Sequence, residues 1–154
     1  MNKLILKETV TYLRPDDEKS TRYIPFTVPE GVKKIFITYS YSPKILEDKE
    51  KSLLLIKENL IRDAGDEWTE YTDYDEFMPL KNLVTLSLMS PEGFCGAAHR
   101  QADSQYHEIG EGFASPGFLK GKITAGQWTL CLNVHALVTD DCTCSIKIEG
   151  EVSE

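Results

Sequence analysis

Apolar and polar residues alternate with a period of two along most of this chain, the spacing of a strand with one buried face. Residues 3–13 alternate roughly and predict a strand, stopped by the turn residues Pro15, Asp16 and Asp17. Residues 21–28 (TRYIPFTV) predict a second strand, and Pro25 inside it points to a sheet edge or a bulge. After the turn Pro29-Glu30-Gly31, residues 32–41 place Ile35, Ile37, Tyr39 and Tyr41 on one face. The same alternation returns over 82–89, 104–110, 127–138 and 142–149. In the last two segments Trp128, Leu130, Leu132, Val134 and Ala136, then Cys142, Cys144, Ile146 and Ile148, form the predicted inner faces.

One segment breaks the rhythm. Leu46, Leu53, Ile56 and Leu60 recur at helical steps with charged residues between them. Ser42 is placed to act as N-cap, Pro43 as the first helical residue and Gly65 as the C-terminal stop. The spacing predicts a helix over 44–62. The acidic and aromatic stretch 63–76 follows without clear periodicity and reads as an irregular surface excursion. Residues 112–126, rich in Gly, Ser and Pro, read as a loop. Seven or eight strands with one helix predict a mainly β protein: an antiparallel two-sheet β-sandwich, jelly-roll-like, in a single domain over 1–154.

Composition narrows the partners. The chain has 154 residues, with 17 Lys and Arg against 25 Asp and Glu, for a formal net charge of −8. That balance argues against nucleic acid and anionic membrane surfaces, which select a basic footprint. Hydrophobic residues make up 41% and charged residues 27%, enough apolar chain for a folded core. The first residues hold no apolar run long enough for a signal peptide or a spanning helix, so a cytoplasmic location with Cys95, Cys131, Cys142 and Cys144 as thiols is expected.

Few residues carry a recognisable chemistry. The histidines are His99, His107 and His135, and neither His-x-His nor His-Glu-x-x-His occurs. Cys142 and Cys144, two apart in a strand, read as core thiols; a zinc site with Cys95 and His99 would want cysteines in a turn. Ser104, Ser115 and Cys95 sit near histidines, but none lies in a Gly-x-Ser-x-Gly elbow. A thiolate at Cys95 would rely on His99 and Arg100 for its charge. The carboxylates of 63–76 lack calcium-loop spacing, and Trp68, Tyr71 and Tyr74 among them could pack on the body or stack on a sugar. No metal and no cofactor is expected.

Three stretches resemble a known family: Tyr23-Ile24-Pro25-Phe26-Thr27-Val28-Pro29-Glu30-Gly31-Val32 leading into IFITYSYSP, then NLVTLSLMSPEGFCGAAHR, then ASPGFLKGKITAGQWTLCL from Ala114 to Leu132. Together they resemble the β-sandwich domain that precedes the catalytic PHP domain in metallohydrolases of the CehA/McbA type. The third stretch is the more specific, matching an Ala-Thr-Pro-Gly-Tyr-x-x-Gly loop before an x-Gly-x-Trp strand. The run Phe94 to Arg100 keeps only part of that family's Trp-Ser-Gly-Gly-like sequence, and the metal-binding His-x-His is absent. The resemblance therefore implies the accessory domain, not the hydrolase.

The leading expectation is a non-catalytic accessory or binding sandwich, associated with a PHP-type metallohydrolase, that meets a protein partner or a second copy of itself. A carbohydrate- or small-ligand-binding module is the first alternative. A stand-alone hydrolase with a cryptic site at His99, Arg100, Asp103 and His107 is the second. Those four residues, with Gln101, also mark the expected binding surface, formed by 94–107 and 112–124, because polar loops on a rigid scaffold are where ligands are met.

Overall fold

The computed structural model describes residues 2–65, 67, 69–70 and 72–153. Eight long strands form two four-stranded antiparallel sheets. They are β1 (Asn2–Leu13), β2 (Thr21–Val28), β3 (Val32–Ser42), β6 (Leu83–Ser90), β7 (Gly93–Ala98), β8 (Ser104–Gly110), β9 (Gly126–Ala136) and β10 (Cys142–Val152). Sheet one has the order β1-β10-β3-β8 and sheet two the order β2-β9-β6-β7. The chain changes sheet at every link between long strands except the β6–β7 hairpin. That winding is a jelly-roll sandwich. Pro25 lies in the edge strand β2, where its missing N–H costs no ladder bond.

The predicted inner faces meet in one core. Ile35, Ile37, Tyr39 and Tyr41 of β3 and Cys142, Cys144, Ile146 and Ile148 of β10 pack against Trp128, Leu130, Leu132 and Val134 of β9 and Val84, Leu86 and Leu88 of β6. Each large aliphatic side chain buried there contributes about 1.5–3 kcal/mol. Two aromatic polar tips inside the core are bonded: Tyr39 Oη donates to the Val84 carbonyl at 3.0 Å, and Trp128 Nε1 donates to the Thr124 carbonyl at 2.8 Å.

The helix α1 spans Lys49–Ala64, five residues later at its start than the apolar stripe predicts. Tertiary bonds explain the delay. Asn82 Nδ2 donates to the Pro43 carbonyl at 2.9 Å, and Asn82 N donates to the Lys44 carbonyl at 2.8 Å. Ile45–Leu46 (β4) then pairs with Leu80–Lys81 (β5). Ser42 ends β3 instead of capping a helix, and Asp48 is the N-cap, accepting from Lys51 N at 3.1 Å. Gly65 closes the helix as predicted. Only Ser52 and Ile56 of α1 are buried, while Leu53, Leu54 and Ile61 face outward. Among the described residues no helix is long and apolar enough to cross a membrane.

A second difference lies at 93–98, which forms strand β7 although its Gly and Ala content gives a weak β signal. The strand is held by the 114–119 strip running along its free edge. Ala97 N donates to the Gly117 carbonyl at 3.0 Å and Leu119 N to the Cys95 carbonyl at 2.8 Å. The approach is so close that a Cβ on Gly96 would lie 2.4 Å from the Gly117 oxygen, and Gly96 has φ +137°. The same strip reaches β8, where Ser115 N donates to the Glu108 carbonyl at 2.8 Å. It thus closes the seam between β7 of sheet two and β8 of sheet one.

Candidate functional site

The four residues singled out from the sequence occupy three different environments. His107 points into the core from β8 and is fully buried, its ring 5.0 Å from that of Phe118 in the seam strip. Its Nε2 meets Gln105 Oε1 at 2.9 Å, and its Nδ1 has no hydrogen-bond partner among the described residues. Burial, with the nearby Arg100 charge, lowers its pKa to about 4, so the imidazole is neutral at pH 7. Arg100 is half-buried, and its Nη2 donates to the Pro116 carbonyl at 3.0 Å, tying the 99–103 loop to the strip. Asp103 is exposed at the far end of β3, where its backbone carbonyl accepts from Tyr41 N at 2.9 Å. Burial, with the Asp103 charge, pushes Tyr41 up to about 12. Lys44 donates to Tyr41 Oη at 2.7 Å, and burial lowers its pKa. Arg100 and His107 thus both meet the 114–119 strip, Asp103 belongs to a separate polar corner, and His99 lies elsewhere again.

His99 follows β7 on the outer face of sheet two, where its ring meets that of His135 edge-on at 6.2 Å between centroids. That face is the candidate site. Register places its outward residues in rows across the sheet: Pro25, Thr129, Met89 and Phe94; then Tyr23, Cys131, Ser87 and Ala97; then Thr21, Asn133 and Thr85. None of these described residues is an Asp, Glu, Lys or Arg. The middle of the face is low, because Ser87 and Ala97 are small and Cys131 and Thr85 are only 5% and 2% exposed. The rims are high: Tyr23 on β2 is 69% exposed and Phe94 on β7 is 61% exposed. The result is a shallow trough of about 350 Å³ that reaches from Phe94 to the two histidines, with Lys19 at one end.

Side-chain bonds order its polar groups. Asn133 Nδ2 donates to Ser87 Oγ at 3.3 Å, and Asn133 Oδ1 accepts from Thr21 Oγ1 at 3.4 Å. His135 Nε2 and Thr85 Oγ1 are 2.8 Å apart. The trough thus offers hydroxyl, amide and imidazole groups, donors and acceptors together, beside the Phe94 ring, with Tyr23 exposed on the opposite edge strand β2.

All four cysteines are free thiols. Cys142 and Cys144 lie in the core beneath Tyr39 and Tyr41; the hydrogen bond to Cys142, with burial, pushes the Cys144 thiol up. Burial also raises Cys95. Among the described residues, no group of three or more His, Cys, Asp or Glu side chains is placed to hold a metal ion. Of the aromatics in the acidic excursion, Trp68 and Tyr71 lie outside the described residues, as does Asp66; Tyr74 Oη donates to the Thr69 carbonyl at 2.8 Å. A second concavity, about 630 Å³, runs between α1 and the sandwich, walled by Ile56, Leu60, Phe77, Leu80 and Leu137.

Of the residues around the trough, His99 alone stands out in the sequence as a site candidate on this face. His135, Asn133 and Tyr23 sit at outward positions of β9 and β2, whose alternation draws attention to the buried face. The signal was available: between the core positions of β9, the residues Thr129, Cys131, Asn133 and His135 carry no charge in a chain that is 27% charged. In comparisons with known proteins, no family model and no curated protein matches this chain.

Proposed function

We propose that the chain is a non-catalytic binding module that takes a neutral, hydroxyl-rich ligand of the carbohydrate kind in the trough on the outer face of sheet two. One observation carries the reading: the outward rows of β2, β9, β6 and β7 hold no Asp, Glu, Lys or Arg, present Tyr23 and Phe94 on their two edge strands and carry hydrogen-bonding groups between them, with Lys19 at one end of the trough. A neutral ligand carries no charge that would have to be desolvated on such a surface, and sugar rings stack on exposed aromatic faces while their hydroxyls exchange water for mixed donors and acceptors. The resemblance to the sandwich that precedes PHP catalytic domains supports a role beside a metallohydrolase rather than as an enzyme in its own right. The hydrolase alternative draws less support, since His107 is sealed in the core and Asp103 and His99 lie apart from it.

Titration of the protein with neutral mono- and oligosaccharides, followed by amide chemical shifts, tests the reading. The expected shifts fall on 85–89, 94–99 and 129–135. Tyr23→Ala and Phe94→Ala are each expected to weaken binding by about 0.5–1.5 kcal/mol. Shifts confined to the α1 groove, or no response to any neutral saccharide, would overturn it.

A further inference from the structure

We propose that His99 and His135 form a two-imidazole site for a divalent transition ion of the zinc class at the end of the sheet-two trough. The two rings come from different strands and approach edge-on, with centroids 6.2 Å apart. His99 is exposed, so a rotation about its side-chain bonds is open to it, and His135 is also exposed. An ion between them would take one nitrogen from each ring, at about 2.0–2.1 Å for zinc.

A second observation points the same way. Thr85 is all but buried, and its hydroxyl lies 2.8 Å from His135 Nε2. When Nε2 carries the ring proton and donates it to Thr85 Oγ1, the lone pair of His135 is on Nδ1. Metal-binding histidines are oriented in just this manner, with the second nitrogen held by an oxygen behind the ring. In that tautomer the His135 ring is held for the ion by Thr85, which is only 2% exposed.

The chemistry of the donor set names the class of ion. Neutral imidazoles suit zinc, copper and nickel; magnesium and calcium require oxygen-rich sites. The trough supplies no carboxylate, so the remaining positions around the ion are left to water or to a ligand oxygen. The site does not depend on the saccharide reading, since it stands on the histidine pair and the Thr85 contact behind it.

The test is titration of the full chain with zinc, magnesium and calcium chlorides, read by calorimetry and by imidazole ring resonances. The expected result is one zinc per chain, with the His99 and His135 ring signals shifted and the His107 signal unmoved. His99→Ala and His135→Ala are each expected to abolish the heat of binding while leaving the circular dichroism spectrum unchanged. Thr85→Val should weaken it by roughly tenfold or more, as loss of an orienting partner does. Zinc binding that survives both histidine variants, zinc binding lost instead in Cys131→Ser, or equal uptake of magnesium would each overturn the proposal. Saccharide titration of the wild-type chain without added metal separates the two readings: binding there supports the trough reading whatever the zinc titration gives, and its absence beside intact zinc binding overturns the trough reading alone.

Discussion

The outer faces of the two sheets are built on the same alternation and differ in what they put into water. On sheet one, charges face one another across the strands: Glu8 is opposite Lys147, and both Lys3 and Lys34 are opposite Glu151. Lys34 Nζ also reaches Glu108 at 3.0 Å. Part of the apolar surface there is covered, Phe36 stacking on Tyr106 with 6.1 Å between centroids and Lys3 Nζ lying 4.2 Å above the Phe36 ring, while Ile5, Val10 and Tyr12 of the edge strand β1 stay exposed. Sheet two has the neutral rows and uncovered aromatics of the trough. A surface that satisfies its own charges asks nothing of a ligand. A surface with upright aromatics and hydroxyls turned outward is left to be completed by one. In a chain of net charge −8 the neutral face is a placement of residues, not a by-product of composition.

That contrast is confined to the outside, and the largest expected effects should ignore it. Ile37→Ala in sheet one and Leu86→Ala in sheet two both empty a fully buried site, and each is expected to cost about 2–5 kcal/mol in urea unfolding. A cost well below that range for one of them would mean that the sheets differ inside as well.

The seam that joins the sheets should respond to acid. His107 has a folded pKa near 4, below its unfolded value of about 6.5, so the native state excludes a proton that the unfolded chain accepts. Its contribution is complete above pH 6.5 and is lost as pH falls toward 4, by about 3 kcal/mol when the loss is full. Urea unfolding of the wild type and His107→Gln across that window should show a shallower pH slope in the variant. Parallel slopes would show that His107 is not the group responsible.

Charge placed on the neutral face tests the contrast directly. Ser87→Glu puts a carboxylate on the trough floor and should remove saccharide binding, with only a modest fall in melting temperature because Ser87 faces out of the core. Unchanged binding would show that neutrality has no role there. The smallest effect is expected on sheet one. Lys34→Ala breaks a solvent-exposed pair with Glu108 and should shift thermal unfolding only slightly, and less still in high salt.

The architecture was largely legible because a period of two marks both the strand and its buried face. The parts that were not legible are those set by distant residues. The start of α1 depends on Asn82, which claims the Pro43 and Lys44 carbonyls from far along the chain. Strand β7 depends on the 114–119 strip, which asks for Gly and Ala where a propensity reading asks for Val and Ile. His107 was legible as a polar residue in a strand, but not as one turned inward under Phe118. The trough was half legible: the alternation of β9 defines an outer set as firmly as an inner one, but its alignment with Tyr23 and Ser87 is a matter of register, which no single strand records.

The position of β10 governs the order in which this fold can be made. It lies between β1 and β3 and is hydrogen-bonded to both along nearly its whole length. On the ribosome, residues 2–13 and 32–42 emerge early and wait for residues 142–152 before they have a shared neighbour. Loops that long close slowly, and strands without partners are open to mispairing with other chains. Until then sheet one has no centre, whereas β6, β7 and β9 of sheet two can already pair. A ribosome stalled before residue 142 would therefore hold a half-built sandwich with β1 unpartnered and β3 paired only to β8, a natural client for a chaperone.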